Sequence, residues 1–202
     1  MGDDYPTIIS FYTQNWKYPS YATAMKRDCT RLGLQHHIVE RADTRDWLKN
    51  TRLKPKFIYE TLLELKRPVL WIDVDGSILK VPEIFKADYP FDFAAKKKST
   101  TSERIWHVGT MYFNYTPSAM DFLKEWNDKI VDEKWSDELS LDLLWKQHKE
   151  SSTNLRTDEL PVQYFKMLNA NAPDPNNDTV ICHRASKGDS KMAYKRNFNF
   201  KD

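Results

Sequence analysis

The chain has 202 residues, enough for one domain with a sizeable core. Its apolar share of 40% and charged share of 30% are ordinary for a soluble globular protein and exclude a disordered chain. The net charge of +2 imposes no anionic partner, and Cys29 and Cys182 lie too far apart for metal-type spacing, so they read as reduced cytosolic thiols.

No stretch approaches a membrane span, and Met1 to Tyr5 lacks the basic-then-apolar pattern of a signal peptide. Thr7 to Thr13 reads as a first strand. Ser20 to Leu32 is predicted helical and ends near Gly33, a usual helix-stop residue. His37 to Glu40 is a second strand. Pro55 is predicted to open the next helix, where a missing N–H is harmless, with Phe57, Ile58, Thr61, Leu62 and Leu65 on its apolar face. Val69 to Ile72 follows as a short unbroken apolar run, the mark of a strand buried on both faces. The order β-α-β-α-β implies a parallel sheet.

Residues 77–90 are short and mixed, and Phe91 to Ala95 is a further strand. Lys96 to Ser102 reads as an exposed loop. Val108 to Asn114 is a strand, and Thr116 caps a helix with Pro117 in its first turn. Ser136 caps another helix from Asp137 to about His148. Ser151 to Asp158 and Asn169 to Asp178 read as loops, Thr179 to His183 as a last strand, and the rest as a basic tail. No repeat or linker divides the chain. The predicted architecture is a single α/β domain with a mostly parallel, Rossmann-like central sheet flanked by helices.

The chemistry concentrates at Asp73-Val74-Asp75-Gly76, where the buried strand emerges. The carboxyl ends of parallel strands are where open α/β sheets bind ligands. Two carboxylates placed together repel unless a proton or cation intervenes, and a hard divalent ion shared with a phosphate is the obvious partner. An EF-hand loop is excluded, because Gly76 is fourth in the motif and Ile84 is twelfth, where Gly at six and Glu at twelve are needed.

Two enzyme classes resemble this motif. Asp73-Val74-Asp75-Gly76-Ser77 is similar to the opening motif of haloacid dehalogenase phosphatases, in which the first Asp is a nucleophile and the second a general acid/base. That class carries the motif near the start of its domain and completes a Mg²⁺ site with a late Gly-Asp-x-x-x-Asp. Here a β-α-β-α unit precedes the motif, and Gly188-Asp189 is followed by Ala193 where the second acid belongs.

The second resemblance covers most of the chain. It joins Asp73-Val74-Asp75 to Val108-Gly109-Thr110-Met111-Tyr112-Phe113-Asn114 with its Thr116-Pro117 helix, to Ser136-Asp137-Glu138, and to Ile181-Cys182-His183. In this order they resemble a small GT-A-type glycosyltransferase of the nucleotide-diphospho-sugar transferase superfamily. The resemblance implies a nucleotide-binding half at about 1–76 and a sugar- and acceptor-binding half at about 77–202. It implies Mn²⁺ or Mg²⁺ on Asp73, Asp75 and His183, and a UDP-sugar donor against Tyr12, Thr13, Lys56, Asp73 and Lys191. Asp137 is the implied catalytic carboxylate, with His107, Gly109, Thr110 and Glu138 around sugar and acceptor.

The implied reaction moves the sugar to a hydroxyl acceptor in a bacterial or virus-infected cytosol. The tail from Lys187 to Lys201 interleaves basic and aromatic residues, a pattern of nucleic-acid binders, and Lys96 to Lys98 could add phosphate contacts. The resemblance implies hydroxymethylated pyrimidine in phage DNA as one acceptor, beside lipopolysaccharide intermediates, proteins and small metabolites. A nucleic-acid-binding module on a degenerate transferase fold is the non-enzymatic alternative.

Overall fold

A computed structural model describes residues 4–98, 105–130, 136–150, 154–168 and 177–184. Its first strand, β1 (Thr7–Tyr12), leads into helix α1 (Tyr18–Leu32), strand β2 (His36–Glu40), helix α2 (Trp47–Leu65) and strand β3 (Val69–Ile72). After β4 (Gly76–Ile78) and a 3-10 turn at Glu83–Phe85 come β5 (Phe93–Lys97), β6 (Trp106–Phe113), α3 (Pro117–Lys129) and α4 (Asp137–Glu150). Strand β7 (Thr157–Glu159), a 3-10 turn at Val162–Tyr164, β8 (Lys166–Leu168) and β9 (Ile181–Arg184) close the order.

Six strands form the central sheet in the order β2-β1-β3-β6-β5-β7, all running one way except β6. Both faces of this sheet are covered, as the unbroken apolar runs predict. Val69 and Trp71 pack with Phe57, Leu62, Phe122 and Trp126 beneath α2 and α3, while Leu70 and Ile72 pack with Met25, Cys29 and Ile181 on the other side. A second, small sheet has the order β4-β9-β8. No helix among the described residues is long and apolar enough to cross a membrane. Both cysteines are free and buried.

The helix signals at α1, α3 and α4 hold. Gly33 adopts the left-handed conformation (φ 66°) that ends α1. The Thr116 hydroxyl accepts from the Ala119 N–H at 3.3 Å, and Ser136 Oγ accepts from Leu139 at 3.2 Å. The expected start of α2 at Pro55 does not hold. The helix begins two turns earlier, where the Asp46 carboxylate accepts the N–H groups of Leu48 and Lys49, and Pro55 lies inside it. A proline there removes a ladder hydrogen bond and costs about 3 kcal/mol. The Asp46 cap and the burial of Phe57, Ile58 and Leu62 offset it.

Two segments read as irregular also contain strands. Residues 77–90 include most of β4, and Ser151 to Asp158 includes most of β7, a sheet edge paired with β5. Lys96 and Lys97 belong to β5 and pair with Glu159, and Lys98 pairs with Glu138. The lysine run is thus matched by acids on neighbouring elements. The rest of the predicted loop, 99–102, and the basic tail lie outside the described residues.

Candidate active site

The motif acids occupy a tight turn that carries the chain from the large sheet to the small one. Asp73 extends the β3–β6 pairing by donating its N–H to the Gly109 carbonyl at 2.8 Å, and its own carbonyl accepts from Gly76 at 2.7 Å. Gly76 then starts β4 directly opposite His183 on β9. A Cβ on Gly76 would sit 2.6 Å from the Ile72 side chain and 3.3 Å from His183 Cε1, so glycine is what allows the turn to close against the histidine.

His183 is therefore delivered to the motif by strand register. Its Nδ1 faces Asp75 Oδ1 at 4.0 Å, and a 2.7 Å hydrogen bond joins its Nε2 to the Thr110 hydroxyl. Phe165 stacks on the imidazole at 4.5 Å, and His107 stacks on the far face of Phe165 at 4.2 Å. Gly109 underlies this stack. A Cβ there would lie 2.8 Å from Phe165 Cε2 and 3.1 Å from His183 Cε1. Phe165 is held between two rings, so it cannot swing away freely. Gly109→Ala is expected to destabilise the fold by about 1–3 kcal/mol through overpacking, read as a lower urea midpoint. An unchanged midpoint would show that the stack has slack.

Asp73 turns one oxygen the other way. Its Oδ1 accepts from Trp71 Nε1 at 2.9 Å and from the Lys54 ammonium at 2.9 Å. Lys54 also meets Asp137 Oδ2 at 2.6 Å and the Val108 carbonyl at 3.2 Å, with Nζ 5.3 Å from the Trp71 ring. Burial works against the charge on Lys54, but the carboxylates of Asp137 and Asp73 outweigh it and hold the ammonium's pKa above its ordinary value. One buried cation thus ties the motif turn to the first residue of α4.

Sequence reasoning named Lys56, not Lys54, as the basic residue near the nucleotide. Lys56 is exposed, 3.8 Å from Glu60, and the lysine buried at the motif turn is Lys54. The available signal was periodicity. Extending the buried face of α2 back from Ile58 and Phe57 reaches Lys54, a lysine on an apolar stripe. A second residue that was missed is Asn15, beyond β1. It is 8% exposed, and its Nδ2 has no hydrogen-bond partner among the described residues.

The remaining expected residues divide. Tyr12 ends β1 and the buried Thr13 follows it, on the sheet edge that bears Asp73. Thr110 is fully buried, with its hydroxyl on His183. Glu138 follows Asp137 on α4 and pairs with Lys98. Beside it, burial raises the pKa of the Asp142 carboxyl, which accepts the Trp106 N–H at 3.1 Å. Lys191 lies outside the described residues.

Asp75 offers a carboxylate oxygen, which suits a hard divalent ion, and His183 an imidazole nitrogen, which suits a divalent transition metal. Their 4.0 Å gap is within the reach of two ligand bonds of about 2.1 Å each. Among the described residues no three His, Cys, Asp or Glu side chains gather closely enough to hold a metal unaided. A cation here would need further ligands from a bound substrate or water.

The sequence profile of the nucleotide-diphospho-sugar transferase family matches residues 12–194. No curated protein matches the chain significantly. Among solved structures, a glycosyltransferase involved in glycosylation of the major capsid of PBCV-1 superposes with a TM-score of 0.68 at 12% identity, covering 97% of this chain and 100% of that one. The glycosyltransferase GlyE of Streptococcus pneumoniae TIGR4 gives a TM-score of 0.62 at 14% identity over 88% of this chain and 54% of its own. The profile spans both the motif turn and His183, and the fold of the superposed glycosyltransferases agrees with it. The chain belongs to the nucleotide-diphospho-sugar transferase family and is a glycosyltransferase that takes its sugar from a nucleotide.

Proposed function

We propose that this enzyme is a single-domain, metal-dependent transferase that moves a sugar from a UDP-sugar to a hydroxyl acceptor. The observation that carries the reading is the Lys54 bridge, which joins the motif acid Asp73 to Asp137 in one site. Donor binding runs across the carboxyl ends of β1 and β3. Tyr12 and Thr13 face the nucleoside there, and Asn15 offers an unpaired amide beside them. Asp75, His183 and the second oxygen of Asp73 would hold Mn²⁺ or Mg²⁺ against the diphosphate. A divalent cation there would offset the charge that builds on the departing nucleoside diphosphate.

Asp137 stands beside the sugar, fixed by Lys54, and presents carboxylate charge to the reacting carbon or acceptor. His107 and Glu138 lie on the acceptor side, whereas the room that Gly109 leaves is taken by Phe165 and His183. Lys191, in the tail, adds charge at the diphosphate. The phosphatase reading would need the motif near the start of its domain, yet β1 to α2 precede it here. For a DNA acceptor, the lysine run is already matched by Glu159 and Glu138, so the tail alone supports that reading.

A panel of nucleotide sugars with Mn²⁺ tests the proposal through release of nucleoside diphosphate. One UDP-sugar is expected to turn over, and EDTA to stop it. Turnover of a phosphomonoester with Mg²⁺ and of no donor would favour the phosphatase, and tight salt-sensitive DNA binding without turnover the binding module.

A further inference from the structure

Asp137 is gripped at both ends. Its carboxylate meets Lys54 Nζ at 2.6 Å, and its backbone carbonyl accepts from two side chains. The Ser140 hydroxyl reaches that carbonyl at 2.9 Å. Trp126 Nε1 reaches the carbonyl at 3.2 Å and Ser140 Oγ at 2.9 Å. The direction of each bond is set by chemistry. An indole N–H only donates and a carbonyl only accepts, so the hydroxyl between them accepts from Trp126 and donates to Asp137. Trp126 and Ser140 are fully buried. Burial alone does not bring an indole a partner in this core, because the Nε1 groups of buried Trp106 and Trp145 have none among the described residues. The partner of Trp126 is the first residue of α4, in the turn where a helix most readily frays.

We propose that Trp126 is a positioning residue that locks the backbone of Asp137, directly and through Ser140, and so sets the carboxylate against Lys54 and toward the reacting sugar. Lys54 alone holds only the tip of the side chain. With the carbonyl also held from α3, the carboxylate has a fixed base as well as a fixed end. A displacement of about 1 Å at a reacting group can cost about 100-fold in rate, so such a lock has a large effect without touching substrate. In Trp126→Phe the indole N–H is lost and an aromatic ring kept. In Ser140→Ala the relay is lost while the direct bond from Trp126 remains, so the effect is smaller. The consequence for turnover rests on the reading of Asp137 given above; the lock itself does not.

The test pairs a rate with a geometry. Initial rates of nucleoside diphosphate release are measured over a range of UDP-sugar with Mn²⁺. W126F is expected to lose roughly 10- to 100-fold in kcat while donor KM stays within about twofold, because the donor binds across β1 and β3. S140A should show a smaller loss of the same kind. Added to Asp137→Asn, W126F should cost little further, since its effect runs through that carboxylate. Crystal structures of both variants should show the Asp137 carboxylate displaced from its 2.6 Å contact with Lys54. If W126F does not fold, S140A carries both readouts. An equal loss of kcat with and without Asp137→Asn overturns the proposal, as does unchanged kcat in the variants. So does a carboxylate that keeps its place in them. Wild-type turnover in Asp137→Asn would instead overturn the reading of Asp137, and with it the consequence drawn for turnover; the crystal structures then decide the lock.

Discussion

Replacing Lys54 with Met is expected to destabilise the protein by about 3–5 kcal/mol, the scale for removing one partner of a buried ion pair. An ammonium has three donors. Here they meet Asp73 Oδ1 at 2.9 Å, Asp137 Oδ2 at 2.6 Å and the Val108 carbonyl at 3.2 Å. Methionine keeps much of the stem's volume but leaves Asp137, only 5% exposed, as a buried carboxylate facing no cation. Urea unfolding measures the loss. The double variant Lys54→Met/Asp137→Asn removes the orphaned charge and should recover much of it, giving a coupling energy of about 0.5–3 kcal/mol between the sites. Simple addition of the two single effects would show that the charges are not coupled. Lys54→Arg is also expected to be poorly tolerated, because a planar fork does not match three convergent acceptors.

The second large effect belongs to Asp75. Asp75→Asn keeps the size of the side chain and removes its charge at a turn whose backbone geometry depends on Gly76 and Asp73. Stability should change little. Donor turnover should fall by roughly 100- to 1,000-fold in kcat, the scale of a lost transition-state charge contact of about 2.7–4 kcal/mol. Initial rates of nucleoside diphosphate release, with and without EDTA, measure it. In wild type the chelator should produce a loss of similar size, and in the variant little further loss. A fully active Asp75→Asn, or activity indifferent to EDTA, would remove the cation from the reaction.

The elements most legible in the sequence are those whose signals are local and redundant. Thr116-Pro117 and Ser136-Asp137 mark helix starts by hydrogen-bonding chemistry that needs no distant partner. The run from Val69 to Ile72 announces burial on both faces. The start of α2 was misread because one local rule, proline in a first turn, competed with another, the Asp46 cap, and the packing of the whole helix decided between them. That error also hid Lys54, since a lysine outside a helix has no reason to be buried. The short strands β4, β7 and β8 have three residues each, too few to show a period. Asp73 and Asp75 could be named from their spacing at a strand end, and His183 only from the resemblance to the family. The hydroxyl that meets His183 could not, because Thr110 reaches it only through the register of two different sheets.

The order β4-β9-β8 has a consequence for synthesis. The large sheet has all its strands once Glu159 has been made, but β4 and β8 have no neighbour in the small sheet until β9 arrives between them. A chain emerging from the ribosome can therefore assemble its large sheet well before residue 183 supplies the imidazole. Truncated products that end before β9 would carry the motif turn without the histidine opposite it. The small sheet thus closes only when β9 has been made.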